Sequence, residues 1–114
     1  MKIEVGREFL EKIIDYQATQ RTRVNEIIKT FSGADFDSHQ FTLLCEHMVL
    51  LNGYIEMLEG TILSSESRIV EDGDEKKEHI ILEEEVMMTS HEIQKALDEH
   101  EYQLTGYGIS FLTH

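Results

Sequence analysis

The chain has 114 residues and a formal net charge of −13, with one cysteine and no proline. This length suits one domain with its own core, and we predict a single domain over residues 1–114. The single Cys45 excludes an internal disulfide, and we see neither a membrane span nor a secretory segment, so we expect a cytoplasmic protein. The acidic balance disfavours direct binding to nucleic acid or to anionic lipid.

The composition and the first apolar stripe favour helices. Proline, the strongest helix breaker, is absent, and the long segments are rich in Glu, Lys, Leu, Ile and Met. Apolar side chains recur at steps of three and four from Phe9 to Phe31, which predicts a first helix over residues 4–31. Gly33 is expected to end it.

The second predicted helix, over residues 38–63, is the most apolar part of the chain. Asp37 is its expected N-cap. Two stripes cover more than half of its circumference, so we expect it to lie centrally and to need more than one partner. The main stripe consists of Phe41, Leu44, Met48, Leu51, Ile55, Leu58 and Ile62.

After the second helix, residues 64–74 are predicted to continue it as far as Val70 or to form a looser linker. The cluster Glu71-Asp72-Gly73-Asp74 then predicts a turn. A thinner apolar stripe, from Ile80 to Leu104, predicts a third helix over residues 75–104. Residues 105–114 are expected to form a short extended tail.

The predicted fold is therefore all-α. Short connections make neighbouring helices antiparallel, which gives a three-helix bundle that runs up, down and up. The second helix has more apolar surface than two partly polar neighbours need. We therefore expect a homodimer to complete the bundle through this helix and the tail.

The middle of the first helix is one candidate site. Tyr16, Gln20, Arg21 and Arg23 belong to the only concentrated polar and partly cationic stretch of the acidic chain. Arginine and amide groups suit a small anionic, nucleotide-like ligand. The competing explanation is that these side chains form a polar layer and ion pairs that fix the packing of the helices.

Metal-dependent catalysis is a second candidate. All-α nucleotide pyrophosphatases hold magnesium with carboxylates one helical turn apart, and Glu56 and Glu59 have this spacing. Glu71 and Asp74 repeat it, but around a glycine turn. Di-iron bundles use Glu-x-x-His, which none of the histidines completes. We therefore assign no catalytic residue, no metal site and no cofactor, expect His79 to contact Glu83, and place Cys45 in the core.

The acidic surface is the third candidate, and it carries the preferred hypothesis. We expect a non-enzymatic protein that acts through protein–protein contacts, as an inhibitor or adaptor, by engaging a basic surface of a partner. Exposed carboxylates of the second and third helices are the expected contact residues: Glu56, Glu59, Glu83, Glu84, Glu85 and Glu92.

Overall fold

A computed structural model describes residues 1–31 and 38–109 of the chain. Over these residues it contains three α-helices and a three-stranded sheet. None of the described helices is long and apolar enough to cross a membrane. In chain order the elements are β1 (Lys2–Gly6), α1 (Arg7–Phe31), α2 (Ser38–Ser64), β2 (Glu66–Asp72), β3 (Glu75–Glu83) and α3 (Glu84–Gly106).

The sheet has the strand order β1-β3-β2, and both pairs of strands are antiparallel. Strand β1 pairs with the end of β3, so that Val5 lies opposite Ile80. Strands β2 and β3 form a hairpin in which Asp72 lies opposite Glu75, which leaves two residues in the turn. Gly73 takes the first of these positions with φ of +64°, a conformation that glycine adopts without steric cost.

The two faces of the sheet differ in polarity. Ile80 and Leu82 of β3 are buried, and Ile3 and Val5 of β1 pack against the same core, because residues two apart on a strand share a face. The opposite face is polar. There Glu4 accepts two hydrogen bonds of 2.9 Å from Arg68, and its carboxylate lies 2.7 Å from Nδ1 of His79.

Helix α2 lies between its two neighbours and is antiparallel to both. The start of α1 and the end of α2 line one cleft, while His47 and His100 bring the start of α2 near the end of α3. Residues from α1, α2, β3 and α3 build the main core. Its fully buried side chains include Leu10, Val24, Leu44, Leu51, Leu58, Ile80, Leu82, Leu97 and Leu104.

The prediction of an all-α three-helix bundle was wrong, because residues 2–6, 66–72 and 75–83 are strands. Helix α1 therefore begins at Arg7 rather than at residue 4, and α3 begins at Glu84 rather than at residue 75. Leu82 stands one helical turn before Val86 in the sequence, but Ile80 and Leu82 are two residues apart, and in the structure they are alternate residues of a strand with one buried face.

The segment after α2 is neither a helix as far as Val70 nor a linker. It is β2, and the predicted turn at residues 71–74 is the hairpin turn between β2 and β3. Gly33, the predicted end of the first helix, and Asp37, the predicted N-cap of the second, lie outside the described residues. Residues 110–114 of the predicted tail lie outside them as well. The part of the tail that is described turns back, since the Ile109 amide donates to the Leu104 carbonyl over 3.0 Å.

Candidate binding surface

A cleft lies between the start of α1 and the end of α2. It has a volume of about 390 Å³ and is lined by four charged and three aliphatic side chains. Helix α1 contributes residues one turn apart on one face, and α2 contributes its last two turns. The lining residues are Arg7, Glu11, Ile14, Asp15, Glu59, Ile62 and Leu63. We refer to them below as the α1–α2 cleft.

Arg7, the one cation of this cleft, is already engaged. Its Nε donates to Glu11 over 2.9 Å, and its Nη1 lies 3.2 Å from both carboxylate oxygens of Glu78. The hydrogen bond to Glu11, with the charge of Glu78, raises the pKa of the Arg7 guanidinium. Asp15 and Glu59 form no ion pair with the residues that the structure describes, so the cleft keeps a net negative charge.

The wall of the cleft is apolar. Ile14 and Ile62 are half-buried, and Leu63 is 86% exposed at the end of α2. Aliphatic walls beside free carboxylates suit a long cationic side chain, because its methylene stem packs on apolar surface while its charged end reaches the acids.

The six predicted contact acids are exposed, but they do not share one cleft among the described residues. Glu59 lines the α1–α2 cleft, whereas Glu84 and Glu92 line a separate hollow of about 430 Å³ beside Ile3 and two methionines. Glu83 ends β3 and lies 3.7 Å from the N-terminal ammonium. The β2–β3 hairpin stands between α2 and α3 in the chain, and it separates the acids of α2 from those of α3. The predicted three-helix bundle contained no such separation.

The residues proposed for an anionic ligand also do not converge. Tyr16 is 52% exposed, while Gln20 is buried in the interior. Arg21 donates to the side-chain carbonyl of Asn52 over 3.2 Å, and Arg23 lies 3.8 Å from Glu26 on its own helix. Their side chains point in different directions, and both arginines have protein partners.

A partly buried polar contact joins two of the helices through Gln17 and Gln94, which were not among the predicted site residues. The Gln17 amide donates to Gln94 over 2.9 Å, which joins α1 to α3, and Gln94 in turn donates to Asp98 over 3.0 Å. Gln17 and Ser90 are both buried. The available signal was weak: Gln17 and Gln20 interrupt the apolar stripe of the first helix on its inward side.

The two acid pairs considered for magnesium lie on different elements. Glu56 and Glu59 are exposed on α2, while Glu71 is on β2 and Asp74 is in the hairpin turn. Among the described residues, no three or more histidine, cysteine or acidic side chains are grouped so as to hold a metal ion.

The histidines occupy two different settings. His47 of α2 is buried with its ring centroid 5.8 Å from that of His100 on α3. Burial, and to a smaller extent the charge of His100, lowers the pKa of His47 to about 4. His79 lies on the sheet and contacts Glu4 rather than the predicted Glu83. Cys45 is a free thiol and is only partly buried.

The Glu4 cluster on the polar face of the sheet was also missed by the sequence analysis. The hydrogen bonds from Arg68 and His79 lower the pKa of the Glu4 carboxyl to about 2. These three residues come from three strands, so only the strand pairing brings them together.

No family model, curated protein or solved structure matches the chain. The surfaces described above are therefore the basis for a functional proposal.

Proposed function

We propose that the protein is a non-enzymatic binding protein that acts as an inhibitor or adaptor by engaging a basic surface of another protein. The observation that carries this proposal is the α1–α2 cleft, where two carboxylates that form no ion pair within the described part of the chain lie beside two half-buried isoleucines and the exposed Leu63. The overall charge of −13 supports it, since an acidic surface attracts basic partners and speeds their association.

The cleft suits one lysine or arginine side chain of the partner. Its stem would pack between Ile14 and Ile62, and its charged group would reach Asp15 and Glu59. Leu63, at the rim, offers an apolar contact to the residue next to that cation. Arg7 does not compete strongly for the two free acids, because Glu11 and Glu78 already hold its guanidinium.

The experiment compares three immobilised proteins in cleared lysate at about 0.05 M and about 0.5 M salt. The proteins are the wild type, the cleft variant Asp15→Asn/Glu59→Gln, and the control Glu46→Gln/Glu99→Gln, which removes the same charge from exposed positions on α2 and α3 outside the cleft. Captured proteins are identified by mass spectrometry, and the affinity for each purified one is then measured.

We expect a basic protein that the wild type and the control capture at low salt, that high salt releases, and that the cleft variant binds about tenfold more weakly. The tenfold change corresponds to about 1.4 kcal/mol, a modest value for two partly exposed charge contacts. Equal capture by all three proteins, or capture that is insensitive to salt, would contradict the proposal.

A further inference from the structure

Strand β2 is an open edge of the sheet. It pairs with β3 on one side, and six of its seven residues are exposed, with only Val70 partly buried. Its pairing with β3 is continuous from Glu66 to Asp72, without a bulge. Natural proteins shield such an edge with a bulge, a proline, a short strand or charged side chains. Of these devices β2 has the charged side chains alone.

The hairpin geometry determines which backbone groups of β2 are available. In a hairpin with a two-residue turn, the residues that flank the turn exchange hydrogen bonds, and bonded pairs then alternate along the ladder. Asp72, Val70, Arg68 and Glu66 therefore bond to β3. The amide and carbonyl groups of Ser67, Ile69 and Glu71 point away from the sheet, toward the open edge.

The side chains of β2 restrict what can pair with this edge. Arg68 is held by Glu4, while Glu66, Glu71 and Asp72 form no ion pair with the residues that the structure describes. Ile69 is 59% exposed on the face opposite to Arg68, since neighbouring residues of a strand point to opposite faces. The edge thus combines open hydrogen-bonding groups, three unpaired carboxylates and one exposed aliphatic side chain.

A second copy of the chain fits this edge poorly. If two β2 strands paired antiparallel about Ile69, Glu66 of each copy would lie opposite Asp72 of the other. Like charges directly opposite each other destabilise a strand pair, whereas opposite charges stabilise it. The carboxylates therefore disfavour self-pairing and favour a basic strand.

We propose that β2 accepts an extended basic segment of a partner protein as a fourth, antiparallel strand of the sheet. This inference rests on the proposed function and assigns it a second contact surface. The segment would alternate cations, opposite Glu66 and Asp72 on one face, with aliphatic residues, opposite Ile69 on the other. Arg68 lies on the first face, but its charge is neutralised by the ion pair with Glu4. Leu63 of the α1–α2 cleft precedes β2 by three residues, so one partner is able to contact both surfaces.

The test uses a fluorescent seven-residue peptide of alternating lysine and valine with blocked ends, matched to the length of β2. Its affinity is measured by fluorescence polarisation. In the proposed pairing the valine amides face β2, so N-methylation of the valines removes the backbone bonds. N-methylation of the lysines, whose amides face away, is the matched control because it leaves charge and side chains unchanged.

On the protein side, Ile69→Pro removes an outward-facing amide, and Ile69→Thr keeps it. We expect methylated valines and Ile69→Pro each to weaken binding about tenfold or more, and methylated lysines and Ile69→Thr to have a small effect. Because the two peptides bind the same unmodified protein, this comparison does not depend on the folding of any variant.

Equal binding of both methylated peptides would overturn strand addition and leave the proposed function standing, since a basic peptide would still bind. No binding of the unmodified peptide at low salt would also overturn the inference. Dimerisation of the wild type that Ile69→Pro abolishes would show a second copy on this edge and reject the basic segment. The cleft variant and the comparison of two salt concentrations test the proposed function separately.

Discussion

Helix α2 and strand β2 follow each other in the chain and represent opposite extremes of burial. Leu44, Leu51 and Leu58 of α2 are almost completely buried between the neighbouring elements, whereas β2 contributes hardly any buried side chain. Burial of apolar surface is the main source of folding free energy, so α2 holds the fold together. Strand β2 adds little to the core, and this leaves its outer edge available for a partner.

The largest expected effect comes from the core of α2. Replacing Leu58 by alanine removes a fully buried side chain and leaves a cavity, so we expect the free energy of unfolding to fall by about 3 kcal/mol. Leu63→Ala on the same helix is the control, because that side chain is largely exposed and its loss should change stability by less than about 0.5 kcal/mol. Urea unfolding measures both. Similar losses for the two variants would contradict the central role of α2.

A smaller effect is expected from the buried His47. Its pKa is about 4 in the folded protein, against an ordinary value of 6.5. Between these two pH values the unfolded chain binds a proton that the folded chain does not, so stability falls as the pH is lowered through this window. At about 1.4 kcal/mol per pKa unit the whole loss is at most about 3 kcal/mol, and it ends near pH 4, where the folded protein also takes up the proton.

The His47→Phe variant should flatten this pH dependence, whereas His91→Phe, at an exposed position on α3, should keep it. Burial raises the pKa of the Glu101 carboxyl, so Glu101 makes stability change with pH in the opposite direction. This contribution is the same in both variants. Chemical denaturation at several pH values between about 4 and about 7 makes the comparison. An unchanged slope in His47→Phe would exclude His47 as its source.

The smallest expected effect distinguishes a glycine of the hairpin from a glycine of the central helix. Gly73→Ala places a side chain at φ of +64° and should destabilise the hairpin by about 1 kcal/mol. Gly53→Ala, in the exposed middle of α2 with open space around it, should instead stabilise the protein by about 0.5–1 kcal/mol.

Urea unfolding gives the sign of both changes, and amide hydrogen exchange shows where they act. In Gly73→Ala we expect faster exchange in β2 and β3 and little change in α2. Equal signs for the two substitutions would contradict the left-handed conformation at Gly73.

The sequence predicted the helices better than the strands, for a reason visible in particular residues. In α1 and α2 the apolar residues recur over more than twenty positions, and α1 ends and α2 begins at the predicted residues 31 and 38. The strands are short, and the two-residue spacing of Ile80 and Leu82, which suits a strand, was assigned to the helical stripe that runs from Leu82 through Val86. Alternation in Lys2-Ile3-Glu4-Val5 and the Gly-Asp pair at residues 73–74 were the available strand signals.

The candidate site was predictable only in its chemistry. The excess of acids indicated a basic partner, and Glu59 was among the predicted contact residues. Asp15 and Leu63 were not, because their meeting depends on the antiparallel packing of α1 on α2. The open edge at β2 was not predictable, because none of the three strands was predicted from the sequence.

The position of β1 has a consequence for how the chain folds during synthesis. Strand β1 is made first, but its partner β3 follows α1, α2 and β2, and the Glu84 amide closes onto the Met1 carbonyl over 2.9 Å. Contacts between residues far apart in the sequence form late, because the entropy of closing the long loop between them is lost before the contacts stabilise the folded state. We therefore expect Ile3 and Val5 to stay unpaired on the ribosome until β3 has emerged. The α1–α2 helix pair and the β2–β3 hairpin should form before β1 completes the sheet.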